Sequence, residues 1–347
     1  MNISPRQKNI IRIVKRDNAA SISQIKNSLS EEASIPTLNR DIAALVKNNV
    51  LLKQGSGPAT FYSIAPHYNI FAPLDAENYF EQDPDVREAI TQFNYELIGI
   101  FEAIPTFTAT EVSHLDSLKK QYQSNISDIS PALHQKELER LTIELSWKSS
   151  QIEGNTYSLL ETEQLFRDKI EAEGKPKEDA TMLLNHKYAL DYLLANQNIA
   201  NNLSLALLEE IHALLIKDLG VGRNIRSRTV GITGTAYKPL DNAHQIKEYI
   251  ENMCRLINNK DNGFEKALLA VALISYIQPF EDGNKRTARM ISNAILLNYD
   301  SCPLSYRSVD ALDYKKAMLL FYEQNNLSAF KEIFIQQNEF SVKNYFQ

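Results

Sequence analysis

Cysteine is almost missing from this chain. Only Cys254 and Cys302 occur, far apart, so neither a disulfide framework nor a thiolate metal site is expected. Long apolar runs are missing too: the longest, Ala267 to Ile277, falls short of the roughly 20 residues that cross a bilayer. The opening residues, Met-Asn-Ile-Ser-Pro-Arg-Gln, lack the apolar core of a secretory signal. No His/Cys/Asp group has metal-ligand spacing, and neither a Ser–His–Asp arrangement nor a Walker-type glycine loop is present. Internal repeats and low-complexity tracts are not seen. These absences set aside disulfide scaffolds, membrane spans and zinc modules, and point to a protein of the reducing cytoplasm without a membrane partner.

What remains is ordinary in bulk and uneven in charge. The 347 residues give room for two or three domains, and 44% hydrophobic with 23% charged residues suits a globular protein. The formal net charge of −6 conceals a split: residues 1–65 hold nine Lys/Arg against four Asp/Glu, a net of +5, which leaves −11 for the rest. A basic head on an acidic body points to different partners for the two parts.

The head reads as three short helices and a hairpin. Ser4-Pro5-Arg6-Gln7 and Ser21 to Gln24 are capping patterns, and Ser34-Ile35-Pro36 opens a third helix. Ile10, Ile11 and Val14, then Ile22, Ile25 and Leu29, then Leu38, Ile42, Leu45 and Val46 give the inward faces. Two β-like runs, Val50–Gln54 and Thr60–Ile64, flank the turn formers Gly55-Ser56-Gly57-Pro58-Ala59. This order, with Thr37-Leu38-Asn39-Arg40-Asp41-Ile42 in the third helix, resembles the winged helix-turn-helix domains of bacterial regulators. The resemblance implies a third helix in the DNA major groove, with Thr37, Asn39, Arg40 and Lys47 as candidate contacts. A small protein-docking module is the other reading, because a fold alone does not fix function.

A Pro-containing connector, roughly 65–84, leads to a body in which almost every segment has helical periodicity. Helices are expected over 86–101, 133–152, 180–196, 203–219, 244–259, 264–276 and 285–297. The stretch Arg226–Tyr237 differs: Thr229, Val230, Ile232, Thr233 and Thr235 alternate with Gly231 and Gly234, which suggests a short β-hairpin. The expected fold class is mainly α. The expected division is a head over 1–65, a connector with N-terminal helices over 66–131, and the main domain over 132–347.

The most informative segment is Gln278-Pro279-Phe280-Glu281-Asp282-Gly283-Asn284-Lys285-Arg286-Thr287-Ala288-Arg289, between an apolar helix and a following helix. Backbone amides at a helix start near Gly283, Asn284 and Lys285 would face an anion. Asp282 is a hard oxygen ligand of the kind Mg²⁺ uses beside nucleotide phosphates. Arg286 and Arg289 are three apart, on one helical face, within reach of one polyphosphate. A helix cap with a salt-bridged surface is the bland alternative.

The segment resembles the Fic signature, His-Pro-Phe-x-Asp/Glu-Gly-Asn-Gly-Arg-x-x-Arg, and ten of the twelve positions agree when free positions are allowed. The resemblance extends in element order over most of residues 80–340. It implies an all-helical core with a β-hairpin flap that binds ATP with Mg²⁺ and passes AMP to a Tyr, Thr or Ser hydroxyl of a target protein, or of the chain itself. By it Asp282 would hold the metal, Gly283, Asn284 and Lys285 the anion nest, and Arg286 and Arg289 the outer phosphates, with Phe280 a buried anchor.

Two positions depart from the pattern. Gln278 stands where the family has its general-base His, and an amide has no usable pKa near neutrality. A missing base costs about 10²–10⁴ in rate, so ATP binding with poor turnover is expected. Lys285 stands where many members have Gly; lysine here also occurs in some members, including the Doc-like kinases that transfer a terminal phosphate, but these usually have Ala at the position of Gly283, so retained Gly283 favours AMP transfer over that alternative. A third reading is a non-enzymatic regulator that senses nucleotide and acts on DNA.

Upstream, Ser149-Ser150-Gln151-Ile152-Glu153-Gly154-Asn155 reads by itself as a helix end, with Gly154 or Asn155 left-handed. It also resembles the inhibitory motif of regulated Fic proteins, Ser/Thr-x-x-x-Glu-Gly/Asn. By that resemblance Ser149, Glu153 and Gly154 belong to an inhibitory helix over about 133–155, in which Glu153 pairs with Arg289 and takes the space of the γ-phosphate. The hairpin resembles the flap that aligns a target by strand pairing, with Thr233, Gly234, Tyr237 and Lys238 as rim contacts. Arg223, Arg226 and Arg228 at its base would steer acidic targets or be solvated. His186 and His212 read as structural or solvated. A homo-oligomer is left open.

Overall fold

The computed structural model describes residues 3–196 and 198–347. Its contacts divide the chain into two compact units, Met1–Leu74 and Asp75–Gln347.

The first unit is built from α1 (Pro5–Arg16), α2 (Ile22–Ser28), α3 (Ile35–Lys47), the strands β1 (Leu51–Gln54) and β2 (Phe61–Ile64), and α4 (Pro66–Phe71). Both expected capping boxes form: Ser4 with Gln7 and Ser21 with Gln24 each satisfy two backbone donors. Ser34 caps α3 through the Thr37 amide. The strands are antiparallel, with Leu51 opposite Ile64 and Gln54 opposite Phe61, and Ala20 adds a single bridge to Tyr62. Ile10, Val14, Ile25, Leu38, Ile42 and Leu45 meet in one core, while Ile11 is only half-buried and Ile13 takes an inward place. Tyr68 of α4 packs on this core, which carries the unit past residue 65. On α3, Asn39, Arg40 and Lys47 are exposed and Thr37 is half-exposed.

The second unit is helical: α5 (Ala76–Phe80), α6 (Leu97–Ala103), α7 (Ala109–Asp128), α8 (Pro131–Ile152), α9 (Leu159–Asp168), α10 (Lys177–Ala195), α11 (Leu205–Leu215), α12 (Ala243–Asn258), α13 (Gly263–Ile277), α14 (Asn284–Asn298), α15 (Ala311–Gln324) and α16 (Ser328–Asn344). At its centre α13 lies against α14. Every residue of α13 is buried except Glu265 and Lys266, as expected of a helix apolar all round. Gly263 permits the close approach, since a Cβ there would meet the Tyr299 ring at 2.1 Å. No helix among the described residues is long and apolar enough to cross a membrane.

One expected helix forms only at its C-terminal end, and an expected hairpin does not form. The helix expected over 86–101 is confined to α6, and residues 82–95 are irregular. Their backbone groups are committed elsewhere: the Ile90 amide donates to the Glu323 carbonyl at 2.7 Å, and the Asn94 amide to the Tyr276 hydroxyl at 2.9 Å. The hairpin expected over Arg226–Tyr237 is also absent. The stretch, called the flap below, has a turn at Thr233–Gly234 but no strand pairing. Its polar groups go to neighbours instead: the Gly234 carbonyl accepts from Arg87, the Lys238 amide donates to the Thr91 carbonyl, and the Tyr237 amide to the Thr235 hydroxyl.

Candidate active site

The end of α13 and the start of α14 frame the site. Helix α13 stops at Gln278, which is in the left-handed region at φ 52°. Phe280 is fully buried and stacks on the His212 imidazole, with ring centroids 3.7 Å apart. Asn284 closes the loop: its Oδ1 accepts from the Phe280 amide and its Nδ2 donates to the Phe280 carbonyl, both at 2.8 Å. Gly283 follows at φ 77°, where a Cβ would also approach Ile216 Cγ2 at 3.1 Å. No side chain caps α14, so its first-turn amides remain open to an anion. The expectation for Asn284 concerned its backbone amide; its side chain is the brace that shapes the loop.

This helix start faces a cavity of about 420 Å³. Gln278, Asp282, Gly283, Asn284, Lys285 and Arg286 line one side. Val230, Ile232 and Thr233 come from the flap, Tyr314, Met318 and Tyr322 from α15, and Glu153 from the end of α8. Arg286 is 2% exposed, donates to the Asp282 carboxylate at 3.1 Å and to the Leu215 carbonyl at 3.3 Å, and burial lowers its pKa. Asp282 is 67% exposed at the rim. Among the described residues no three His, Cys, Asp or Glu side chains gather as a metal site. A Mg²⁺ held by one carboxylate together with nucleotide phosphates fits this donor set; an all-protein cage does not.

Arg289 lies one turn deeper and does not line the cavity. Its Nε donates to Ser149 Oγ at 2.8 Å, and its Nη2 to the Ser149 carbonyl at 2.9 Å and to Glu153 Oε1 at 2.8 Å. Lys285 Nζ is 3.5 Å from the other Glu153 oxygen. Burial would raise the Glu153 pKa, but Arg289, Lys285 and Arg286 outweigh it and hold the carboxyl below its usual range. Glu153 caps the end of α8 and Gly154 takes φ 102°, so the helix-end and ion-pair readings are both satisfied by one geometry. Behind Ser149, its hydroxyl meets His186 Nε2 at 3.2 Å; His186 is fully buried, and burial pushes its pKa well down.

Gln278 carries no proton-transfer chemistry, and its Nε2 donates to the Ser275 carbonyl at 2.6 Å. The Gln278 carbonyl accepts from Arg226 Nε at 2.7 Å. Arg226 is therefore neither solvated nor a steering charge. It is 2% exposed and also serves the carbonyls of Arg228 and Leu240. Arg223 and Arg228 are exposed. Tyr237 is no rim contact either: it is 2% exposed and stacked against Tyr276 and Tyr322, with its hydroxyl on the Tyr276 carbonyl. Thr233, Gly234 and Lys238 stay at the surface. His212 proves structural, with ring nitrogens 3.2 Å from the Arg223 carbonyl and 3.0 Å from the Asp282 carbonyl. Its partners lie up to 70 positions away, so no local spacing could have signalled it.

Comparison with known proteins follows the same outline. Residues 202–296 match the model of the Fic/DOC family. The protein adenylyltransferase Fic of Aedes aegypti is 27% identical over 206 residues, 55% of this chain and 40% of the relative. The protein of the same name from Nematostella vectensis is 28% identical over 176 residues, 48% of this chain and 40% of the relative. This chain thus spans about 40% of the length of these curated relatives. Among solved structures, Fic-1 from C. elegans superposes with a TM-score of 0.60 at 19% identity, over 68% of this chain and 72% of the other. A Fic family protein from Desulfovibrio desulfuricans G20 gives 0.57 at 17% identity, over 69% and 75%. The chain carries a Fic/DOC domain, and the mainly α body has the Fic fold.

Proposed function

We propose that the chain binds MgATP in this cavity and follows the plan of an enzyme that moves AMP onto a Tyr, Thr or Ser hydroxyl of a target protein or of itself. The observation that carries the reading is the uncapped start of α14, opening into a cavity with buried Arg286 behind it and the Asp282 carboxylate at its rim. The amides and Arg286 would hold phosphates and Asp282 would hold Mg²⁺, whose charge neutralises phosphate oxygens. The relatives named adenylyltransferases favour the same chemistry.

Two features limit turnover in this proposal. Glu153 occupies Arg289 and so withholds from the γ-phosphate a cation it would use. Gln278 leaves the acceptor hydroxyl without a general base, a loss of about 10²–10⁴ in rate. The test uses the Gln278→His chain with ATP labelled at the α- or γ-phosphate. Weak α-label transfer that rises well above that level on adding Glu153→Gly supports the proposal. Transfer of γ-label would mark a Doc-like phosphotransferase instead, and no transfer from either variant counts against enzymatic function.

A second reading, a nucleotide-sensing regulator acting on DNA, is favoured by Gln278 itself and by the exposed Asn39, Arg40 and Lys47 on α3 of a basic N-terminal unit. A gel shift with and without MgATP tests it. ATP-dependent binding, lost in Arg40→Ala/Lys47→Ala, supports a DNA role; no shift at low salt removes it.

A further inference from the structure

The flap and α15 form two walls of the cavity, and both are gripped from outside by residues 75–95, which neither the signature nor the Glu153 contact accounts for. Arg87 is the pivot. Its side chain is 3% exposed, and Nη2 donates to the Gly234 carbonyl at the flap turn at 2.6 Å. The same nitrogen is 3.3 Å from Oε1 of Glu323, a fully buried carboxylate near the end of α15. Glu323 Oε2 accepts from the Tyr79 hydroxyl at 2.7 Å, and the Arg87 guanidinium lies 4.9 Å from the Phe80 ring centroid. A planar guanidinium can meet a carbonyl, a carboxylate and a ring face together, which an ammonium cannot. At the far end of the flap the Lys238 amide donates to the Thr91 carbonyl at 2.9 Å.

The flap has no strand pairing of its own; Arg226 and Tyr237 tie its two ends to the end of α13, and between them the Arg87 bond to Gly234 sets where its turn stands. Gly234, at φ 86°, lies against Leu319 of α15, and Leu319 and Thr233 both line the cavity. Fixing Gly234 relative to Glu323 therefore fixes the width of the cleft between flap and helix. We infer that Arg87 is a positioning residue for the acceptor side of the site: it holds the flap at the spacing from α15 at which an incoming polypeptide hydroxyl can be aligned. It contacts no residue of the α14 start, so the phosphate side should not depend on it. The inference rests on reading the cavity as a site for nucleotide and protein hydroxyl.

Hydrogen–deuterium exchange on the full chain tests it, with Arg87→Met and with Arg87→Met/Glu323→Gln. The double variant avoids leaving a buried carboxylate unpaired, so it remains informative if the single one fails to fold. Loss of a charge-assisted hydrogen bond should speed exchange of the Tyr237 and Lys238 amides, the hydrogen-bonded ones of segment 230–238, by roughly tenfold or more. Exchange over 278–289 and MgATP affinity by calorimetry should stay within about twofold of the parent. In the Gln278→His/Glu153→Gly background, Arg87→Met should slow self-modification without changing the KM for MgATP. Unchanged exchange over 230–238 in the double variant, or equal acceleration over 278–289, would overturn the inference. If the Glu153→Gly chain takes up no MgATP, the nucleotide reading falls and the acceptor role with it, while the exchange result still reports whether Arg87 fixes the flap.

Discussion

Removing Glu153 should weaken the nucleotide-free protein and strengthen its hold on MgATP, and the two effects share one cause. Arg289 is 1% exposed, and its charge is met by Glu153 at 2.8 Å, by two Ser149 oxygens and by Tyr314, whose ring centroid lies 5.3 Å from the guanidinium. Opposite unit charges about 4 Å apart are worth about 4 kcal/mol at an effective dielectric near 20. Breaking one side of a buried pair typically costs about 3–5 kcal/mol because the remaining charge is stranded. Glu153 is 18% exposed, so the lower end of that range applies here. In Glu153→Gly a γ-phosphate would take the vacated place, and the cost no longer has to be met at the moment of binding. The expected gain is about 1–3 kcal/mol, roughly fivefold to more than a hundredfold in Kd. Thermal melts should give a lower Tm without ligand and a larger upward shift with MgATP, and calorimetry should give the tighter Kd. A lower Tm with an MgATP Kd within twofold of the parent would refute the competition and leave Glu153 a helix-end residue.

Asn284→Ala should lower stability by about 1–3 kcal/mol, read from urea unfolding, because both polar groups of buried Phe280 lose their partner; it should weaken MgATP binding as well. Stability should fall as the pH drops below about 6.5, the ordinary histidine value, because the fold holds His186 and His212 at lowered pKa while the unfolded chain binds those protons. The contribution is fully present above that pH and is lost as pH falls through the folded values, so urea midpoints at pH 7.5 and 5.0 should differ less in His186→Asn. A pH slope unchanged in that variant would rule out His186 as its source. Glu153 is held below its usual range and adds to the loss only below about pH 4.5.

Much of the site was legible because its pieces are local. Gln278 to Arg289 are contiguous, and a helix end, a left-handed glycine and a new helix follow from apolar periodicity and the Asp-Gly-Asn turn formers. The Glu153–Arg289 pair spans 136 positions and came from a motif resemblance, since no propensity argument reaches that far. The failures share a cause. Alternating Thr, Val and Ile with glycines made 226–237 look like a hairpin, and periodicity made 86–101 look helical. Both segments instead spend their backbone groups on each other and on α13 and α15. Arg226 and Arg87, read as a surface charge or not at all, are the buried donors that hold them. Tertiary hydrogen bonding overrode local propensity at both places, and a buried arginine leaves no periodic trace.

The same geometry separates binding from chemistry at Gln278. The amides at the start of α14 are aimed by the Phe280–Asn284 brace, the His212 stack and left-handed Gly283, none of which involves the side chain at 278. The backbone at 278 is held by Arg226 on its carbonyl and by its own amide on Ile274, and neither bond depends on residue type. A Gln278→His change therefore gives up the amide's bonds to the Ser275 carbonyl and the Tyr322 hydroxyl and leaves the backbone bonds at 278 in place. Position 278 is also 7% exposed and lines the cavity, so an imidazole there would be poised between the solvent-excluded helix end and the incoming hydroxyl. Under the proposed function, AMP transfer shown by the Gln278→His chain but not by the parent would therefore measure the base that an amide lacks, since the brace and the bonds holding the backbone at 278 do not rest on that side chain.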